Sequence, residues 1–415
     1  MNLPEGDAQA RSTADAVARR SYGKLIAFLA AKTRDVAAAE DALSEAFASA
    51  LTNWPVNGCP SNPEAWLMTV ARRKAIDAAR RPSSCEIATP ELDLFAQQVV
   101  TELDVEVPDR RLALMFVCAH PAIEAGIRAP LILQVVLGLD AKAIASAFLT
   151  SPAAMGKRLV RAKDKIRQAG IPFTVPERNE LPGRLNTVLD AIYAAFTEGW
   201  TDPGGVEVAN RDLIDEALFL ARLLSELLPE QPEVLGMLAL MLHAESRRRA
   251  RRNVHGEYVP LASQDPASWN SKMIFEAESL LRQASTMKSI GRYQLEAALQ
   301  SAHVFRCRTG HNNWAEIAQL YDALFALSGS PVVALNRALA IAETQGAEAA
   351  LSAMQEIATD ARLVDYQPYW AARAELLAKT GATGEARHAY EIAIGLERDP
   401  AVRRFLQQRQ FALTP

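Results

Sequence analysis

At 415 residues the chain is longer than one ordinary hydrophobic core supports, which predicts two or three domains. Its apolar share of 49% excludes bulk disorder, and abundant alanine and leucine with only 7% aromatics favour helix nearly everywhere. The net charge is -4, the four cysteines (Cys59, Cys85, Cys118, Cys307) have neither zinc-knuckle nor redox spacing, and no stretch is apolar enough for a signal peptide or membrane span, so the expectation is a cytoplasmic protein with reduced thiols and no membrane partner.

Residues 12–52 read as two helices. The second, from Val36 to about Leu51, puts Ala39, Leu43, Ala46, Phe47 and Ala50 on one side and Glu40, Asp41, Ser44 and Glu45 on or beside the other. A Pro/Gly/Asn-rich break from Trp54 to Pro63 follows. A helix from Glu64 to Arg81 comes next, with Trp66, Val70 and Ile76 as inward candidates and Pro63 and Pro82 as boundary markers. Residues 70–81 of this helix carry Arg72, Arg73, Lys74, Arg80 and Arg81 against Asp77, a net +4.

Residues 83–107 read as an acidic linker, with a short helix over Leu92–Leu103. A second small helical domain spans 108–176. Its end is the sharpest local signal in the chain: a short helix Ala141–Phe148, a tight connection Leu149–Ser151, and a longer helix Pro152–Gln168 with Ser151 as cap and Pro152 at the first position. Met155, Leu159 and Ile166 form its inner stripe, leaving Ala154, Lys157, Arg158, Arg161 and Lys165 outside, which is a helix-turn-helix arrangement. Residues 142–167 hold a net +6, so two concentrated basic helices stand in an otherwise acidic chain, as a polyanion site requires. Solvated helix faces also collect such charges.

Residues 181–410 are a succession of helices separated by Pro/Gly/Asn-rich breaks. Near the end, Ala338, Ala350, Met354 and Ile357 recur 36 positions later as Ala374, Ala386, Tyr390 and Ala393, a spacing that suits stacked helical hairpins of solenoid type.

Three stretches resemble a known family. SYGKLIAFLAAKTRDVAAAEDALSEAFASALTNWP looks like the start of sigma region 2, NPEAWLMTVARRKAIDAARR like its promoter-melting and -10-reading end, and DAKAIASAFLTSPAAMGKRLVRAKDKIRQAGIPF like the helix-turn-helix of sigma region 4. In this order they resemble the extracytoplasmic-function (ECF) sigma factors of bacterial RNA polymerase. YAAFTEGW, EVLGMLALMLHAESRRRAR, SPVVALNRALAIAE and ARAELLAKTGATGEARHAYEIAI look like the long C-terminal extension, related to tetratricopeptide repeats, of one group of them.

The resemblance implies an all-α chain: a region 2 helical bundle over 12–82, a region 4 helix-turn-helix domain over 108–176, and a tetratricopeptide-like solenoid over 181–410. It implies binding to core RNA polymerase through Glu40, Asp41, Leu43, Glu45 and Phe47, with Ser44 where the usual motif has Gln. It also implies promoter DNA as a partner, read by Arg72, Arg73, Lys74, Arg80 and Arg81 at -10 and by Ala154, Lys157, Arg158, Arg161 and Lys165 at -35. A regulatory protein on the C-terminal part is a further candidate partner. The rival expectation is a helical-repeat interaction scaffold with residual sigma-like domains.

No residue set predicts catalysis, a cofactor or a metal. Cys118 and His120 beside Pro121 make half a metal site at most and read as packing. Trp66 shares a face with Val70, which predicts a core position, with base stacking as the alternative. His243, Glu245 and the run Arg247, Arg248, Arg249, Arg251 and Arg252 read as a solvated basic helix end, with an acid–base or phosphate pocket, or a contact to nucleic acid, polymerase or an acidic regulator, as alternatives.

Overall fold

The computed structural model describes residues 5–79, 110–148, 150–177, 180–198 and 207–413. The 83–107 linker, the Leu92–Leu103 helix, Arg80 and Arg81 lie outside the described residues. Among the described residues the chain forms helices and no β-strand, with one isolated bridge between Arg252 and Tyr258. It divides into two compact units: Met1–Trp200 with Val208–Ala217, and Thr201–Glu207 with Leu218–Pro415.

The first unit begins with α1 (Glu5–Thr33), α2 (Val36–Asn57) and α3 (Pro63–Ala79), which pack on one another. Asp35 starts α2 by accepting the Ala38 amide at 3.1 Å, satisfying one of the donors that a helix start leaves open. Val36, Ala39, Leu43, Ala46, Ala50 and Trp54 are buried at three- and four-residue steps, giving the apolar seam that joins α2 to its neighbours. The expected break at Trp54 comes later: α2 runs through Pro55 to Asn57, with Trp54 1% exposed and edge-on to Trp66 at 5.5 Å. The inward face of α3 differs from the sequence reading as well. Ala65, Leu67, Met68, Ala71, Ala75 and Ile76 are buried, whereas Trp66 and Val70 are half-buried beside the seam.

Four short-to-medium helices follow: α4 (Arg111–Cys118), α5 (Ala125–Leu137), α6 (Ala141–Ala147) and α7 (Pro152–Gln168). Ser151 caps α7 through the Ala154 amide at 3.2 Å, with Pro152 in the first turn. Met155, Leu159, Ala162 and Ile166 are its buried stripe. Helix α1 crosses α5 closely at Gly23, where an added Cβ would lie 2.0 Å from the Val136 carbonyl oxygen. Helix α8 (Leu181–Glu198) packs on α4 and α5, and the Arg184 Nη2 donates to the Phe116 carbonyl at 2.9 Å.

Helix α9 (Glu207–Leu227) supplies residues to both units. The second unit continues with α10 (Pro232–Ser246), α11 (Ser271–Thr286), α12 (Arg292–Thr309), α13 (Trp314–Ser328), α14 (Pro331–Gln345), α15 (Ala347–Gln355), α16 (Gln367–Lys379), α17 (Thr383–Leu396) and α18 (Pro400–Phe411). From α13 onward the helices pack chiefly on their sequence neighbours, whereas α12 packs chiefly on α10, and the apolar core is a series of clusters handed from one helix pair to the next. The 36-residue recurrence has a physical counterpart: Ala338, Ala350, Ala374 and Ala386 are all fully buried, in the hairpins α14–α15 and α16–α17. At the start of the unit α10 and α12 nearly touch, since a Cβ on Gly236 would meet the Gln294 backbone nitrogen at 2.7 Å. There the Glu233 carboxylate accepts the Tyr293 and Gln294 amides at 3.0 and 3.1 Å, capping α12 from a neighbouring helix. At its end, Arg252 pairs with Asp399 and Tyr258 lies edge-on to Phe405 at 5.5 Å, tying the segment after α10 to α18.

Candidate functional site

The residues assigned from sequence to polymerase contact lie on α2 in two environments. Asp41 and Glu45 are exposed and Phe47 is half-buried. Leu43 is fully buried in the α2 seam, so it corrects to a core residue supporting that face rather than displaying itself on it. Glu40 is also drawn inward, and its carboxylate forms an ion pair with Lys163 of α7, the two side chains being only 14% and 11% exposed. Burial raises the Glu40 carboxyl above its ordinary range, against the lowering influence of Lys163. Beside it, Arg167 Nη1 lies 3.4 Å from Asp35 Oδ2, the residue that caps α2. The basic helix α7 therefore packs its C-terminal half on the acidic edge of α2.

The basic residues of α3 do not share one environment. Arg73 is exposed, whereas Arg72 is half-buried with its guanidinium 4.9 Å above the Phe28 ring. Lys74 pairs with Glu45 at 3.1 Å, so one residue assigned to DNA and one assigned to polymerase neutralise each other at the surface.

On α7, Ala154, Lys157, Arg161 and Lys165 are exposed and Arg158 is half-buried. Arg158 Nη2 sits 3.3 Å from Glu124 Oε1 at the start of α5. Arg158, Arg161 and Lys165 line an open cleft of about 200 Å³, whose other wall is Ala122, Ile123, Glu124 and Ile127. Two guanidinium groups and an ammonium along one side of a cleft beside a helix are suited to phosphate oxygens. Glu124, which partly neutralises the cleft, had no sequence signal, because its proximity to α7 is purely tertiary.

The half-motif at Cys118 and His120 is accounted for by packing. Cys118 is fully buried and burial pushes its thiol up, while His120 Nδ1 accepts the Ala122 amide at 3.1 Å. No group of three or more His, Cys, Asp or Glu among the described residues is arranged to hold a metal ion. No described helix is long and apolar enough to cross a membrane.

Comparison with known proteins finds two family matches, which cover α2 and α3 but not α7. The family described as sigma-70 region 2 matches residues 17–84, covering α2, α3 and most of α1. A second family, described as a family of unknown function (DUF6596), matches residues 184–285, from α8 to α11. An uncharacterised protein of Rhizobium meliloti (strain 1021) is 41% identical over 369 residues, spanning 88% of this chain and 87% of that protein. No solved structure matches. The chain thus belongs to one family with the rhizobial protein and carries a sigma-70 region 2 segment over residues 17–84.

Proposed function

We propose that the protein is an ECF-type initiation factor that docks on core RNA polymerase through α2 and brings α3 and α7 to the -10 and -35 elements of a promoter. The observation that carries this reading is the sigma-70 region 2 match over α1–α3, joined in the same compact unit to a capped basic helix with Lys157, Arg161 and Lys165 exposed. Asp41, Glu45 and Phe47 form the polymerase-facing side, and Arg73 is the strongest phosphate contact on α3, because it is exposed. On α7, Ala154 meets a thymine methyl while Lys157, Arg158, Arg161 and Lys165 take base edges or phosphates. Each reader alone is weakly specific, and tethering both to polymerase selects one promoter. The hairpins of the second unit act as a tetratricopeptide-like regulatory extension.

Run-off transcription with core polymerase from the same bacterium tests the reading. The expected outcome is specific initiation that requires this protein. Absence of both core binding and specific initiation would refute it and favour the scaffold reading.

A further inference from the structure

The arginine run after α10 is a solvated helix end only in part: Arg249 and Arg251 are exposed, whereas Arg247, Arg248 and Arg252 are half-buried. Two of its members are paired with carboxylates, Arg248 with Glu245 at 3.3 Å and Arg252 with Asp399. Arg247 is different. It is half-buried, its Nε donates to the His243 carbonyl at 3.3 Å, its Nη2 donates to the Gln300 side chain, and its guanidinium lies 6.0 Å from the Trp269 ring centre. On the adjoining α12, Arg306 is also half-buried, with its guanidinium 4.5 Å over Trp314 and its Nε without a hydrogen-bond partner. Among the described residues neither Arg247 nor Arg306 has a carboxylate within ion-pair distance. Both charges bear on His303 between them, whose Nδ1 is buried without a partner and whose ring stands 5.7 Å from Trp314. Beneath them His243 is fully buried, with neither ring nitrogen hydrogen-bonded and Glu278 Oε1 3.5 Å from Nε2.

Withdrawing a cation from water is costly unless an anion or hydrogen-bond acceptors replace the lost hydration. Here two cations are half withdrawn, placed beside indoles, and given neutral or aromatic partners only. An indole beside a guanidinium takes up none of its N–H groups, so the unpartnered Arg306 Nε remains as a donor suited to an oxyanion. Several unsatisfied buried polar atoms in one locality mark a missing partner, as isolated ones do not. We propose that Arg247, Gln300, His303 and Arg306 form a binding site for a small phosphate-bearing molecule in the second unit. Charge selects phosphate over carboxylate: a phosphomonoester carries about -1.5 to -2 at neutral pH, matching two arginines, whereas a carboxylate leaves one unmatched. Half-burial selects a small ligand, because a polynucleotide backbone calls for a row of exposed cations. The site lies partly within the 184–285 segment of unknown function and stands apart from the promoter-reading proposal.

Isothermal titration calorimetry on the full-length protein, purified without phosphate, provides the test, with inorganic phosphate and adenosine monophosphate as separate probes. Saturable binding of either supports the proposal; tighter binding of the nucleotide identifies an ester, and equal affinity identifies free phosphate. Arg306→Gln is expected to weaken binding roughly 10- to 100-fold, while Arg308→Gln, an exposed position on the same helix, leaves it unchanged. Arg247→Gln should weaken it similarly, and Arg306→Gln keeps the test valid if that more deeply packed variant does not fold. Failure of both probes to bind the wild-type protein at about 10 mM, or equal losses in Arg306→Gln and Arg308→Gln, would overturn the proposal. So would Arg306-dependent binding of a DNA duplex or an acidic peptide without binding of either probe.

Discussion

Lys163 of α7 forms an ion pair with Glu40 of α2 across 123 residues of sequence, and both side chains are almost withdrawn from solvent. The pair joins a helix proposed to read DNA to one proposed to face polymerase. With Arg167 near Asp35, it holds the two in a closed arrangement in which part of the acidic edge of α2 is covered. A buried pair of this kind contributes little net stability, yet breaking it is expensive, because one charge is left uncompensated.

Single replacement is therefore expected to cost more than double replacement. Lys163→Met should destabilise the first unit by about 3 kcal/mol, and adding Glu40→Gln should restore most of the loss. Urea unfolding of both single variants and the double variant measures the coupling. The pH dependence has a definite sign. Burial holds the folded Glu40 carboxyl above its unfolded value, so the folded state binds the proton more tightly and this contribution is lost as pH rises through the folded value. Removing the opposing Lys163 charge enlarges the effect, so the Lys163→Met penalty should be larger at about pH 8 than at about pH 5.

Arg158 and Arg161 lie one turn apart on α7 and are expected to respond differently. Arg158 is engaged with Glu124, whereas Arg161 is exposed on the cleft rim. Arg161→Ala should weaken promoter binding by about 1–3 kcal/mol if it reads a base, or lower the salt slope by about one if it meets a phosphate. Arg158→Ala should cost less, and Glu124→Ala alone should strengthen binding. Fluorescence anisotropy of holoenzyme on promoter duplex over a salt series separates these outcomes.

Gly23 permits the close crossing of α1 and α5. Its missing Cβ would fall 2.0 Å from a backbone oxygen, which cannot swing aside as a side chain can. Gly23→Ala should destabilise by about 2 kcal/mol or more despite the higher helix propensity of alanine. Thermal unfolding checks this, with Gly156→Ala as a control, since nothing lies within 4 Å of the Cβ position there.

His243 and His303 are held at about 4, chiefly by burial and then by neighbouring arginines, against 6.5 for the free side chain. The unfolded chain therefore binds the extra protons. Stability is fully present above about pH 6.5 and is lost as pH falls towards 4. His243→Leu should flatten the melting temperature against pH over this interval. An unaltered slope would mean that the imidazole is not the titrating group.

Much of the local architecture was legible in advance. Ser151 as a helix start, Pro152 in the first turn and the Met155–Leu159–Ile166 stripe follow from capping chemistry and a 3.6-residue period, which act over a few residues. On α3 the i, i+4 pairing of Trp66 with Val70 points to an inward face, yet both are half-buried; the seam runs through Ala65, Leu67, Met68, Ala71 and Ala75, and of the inward candidates Ile76 lies on it.

The sequence by itself determined which segments are helical, where two basic helices stand, and that a 36-residue recurrence places alanines at equivalent positions. The tertiary structure decided what each charged residue meets. Lys163 reads like its exposed neighbours until α7 is laid on α2, and Arg247 reads like the rest of its run until Trp269 and Gln300 close around it. The physical reason is range: helix periodicity and capping are written into neighbouring residues, whereas desolvation and charge pairing depend on partners that folding alone brings near.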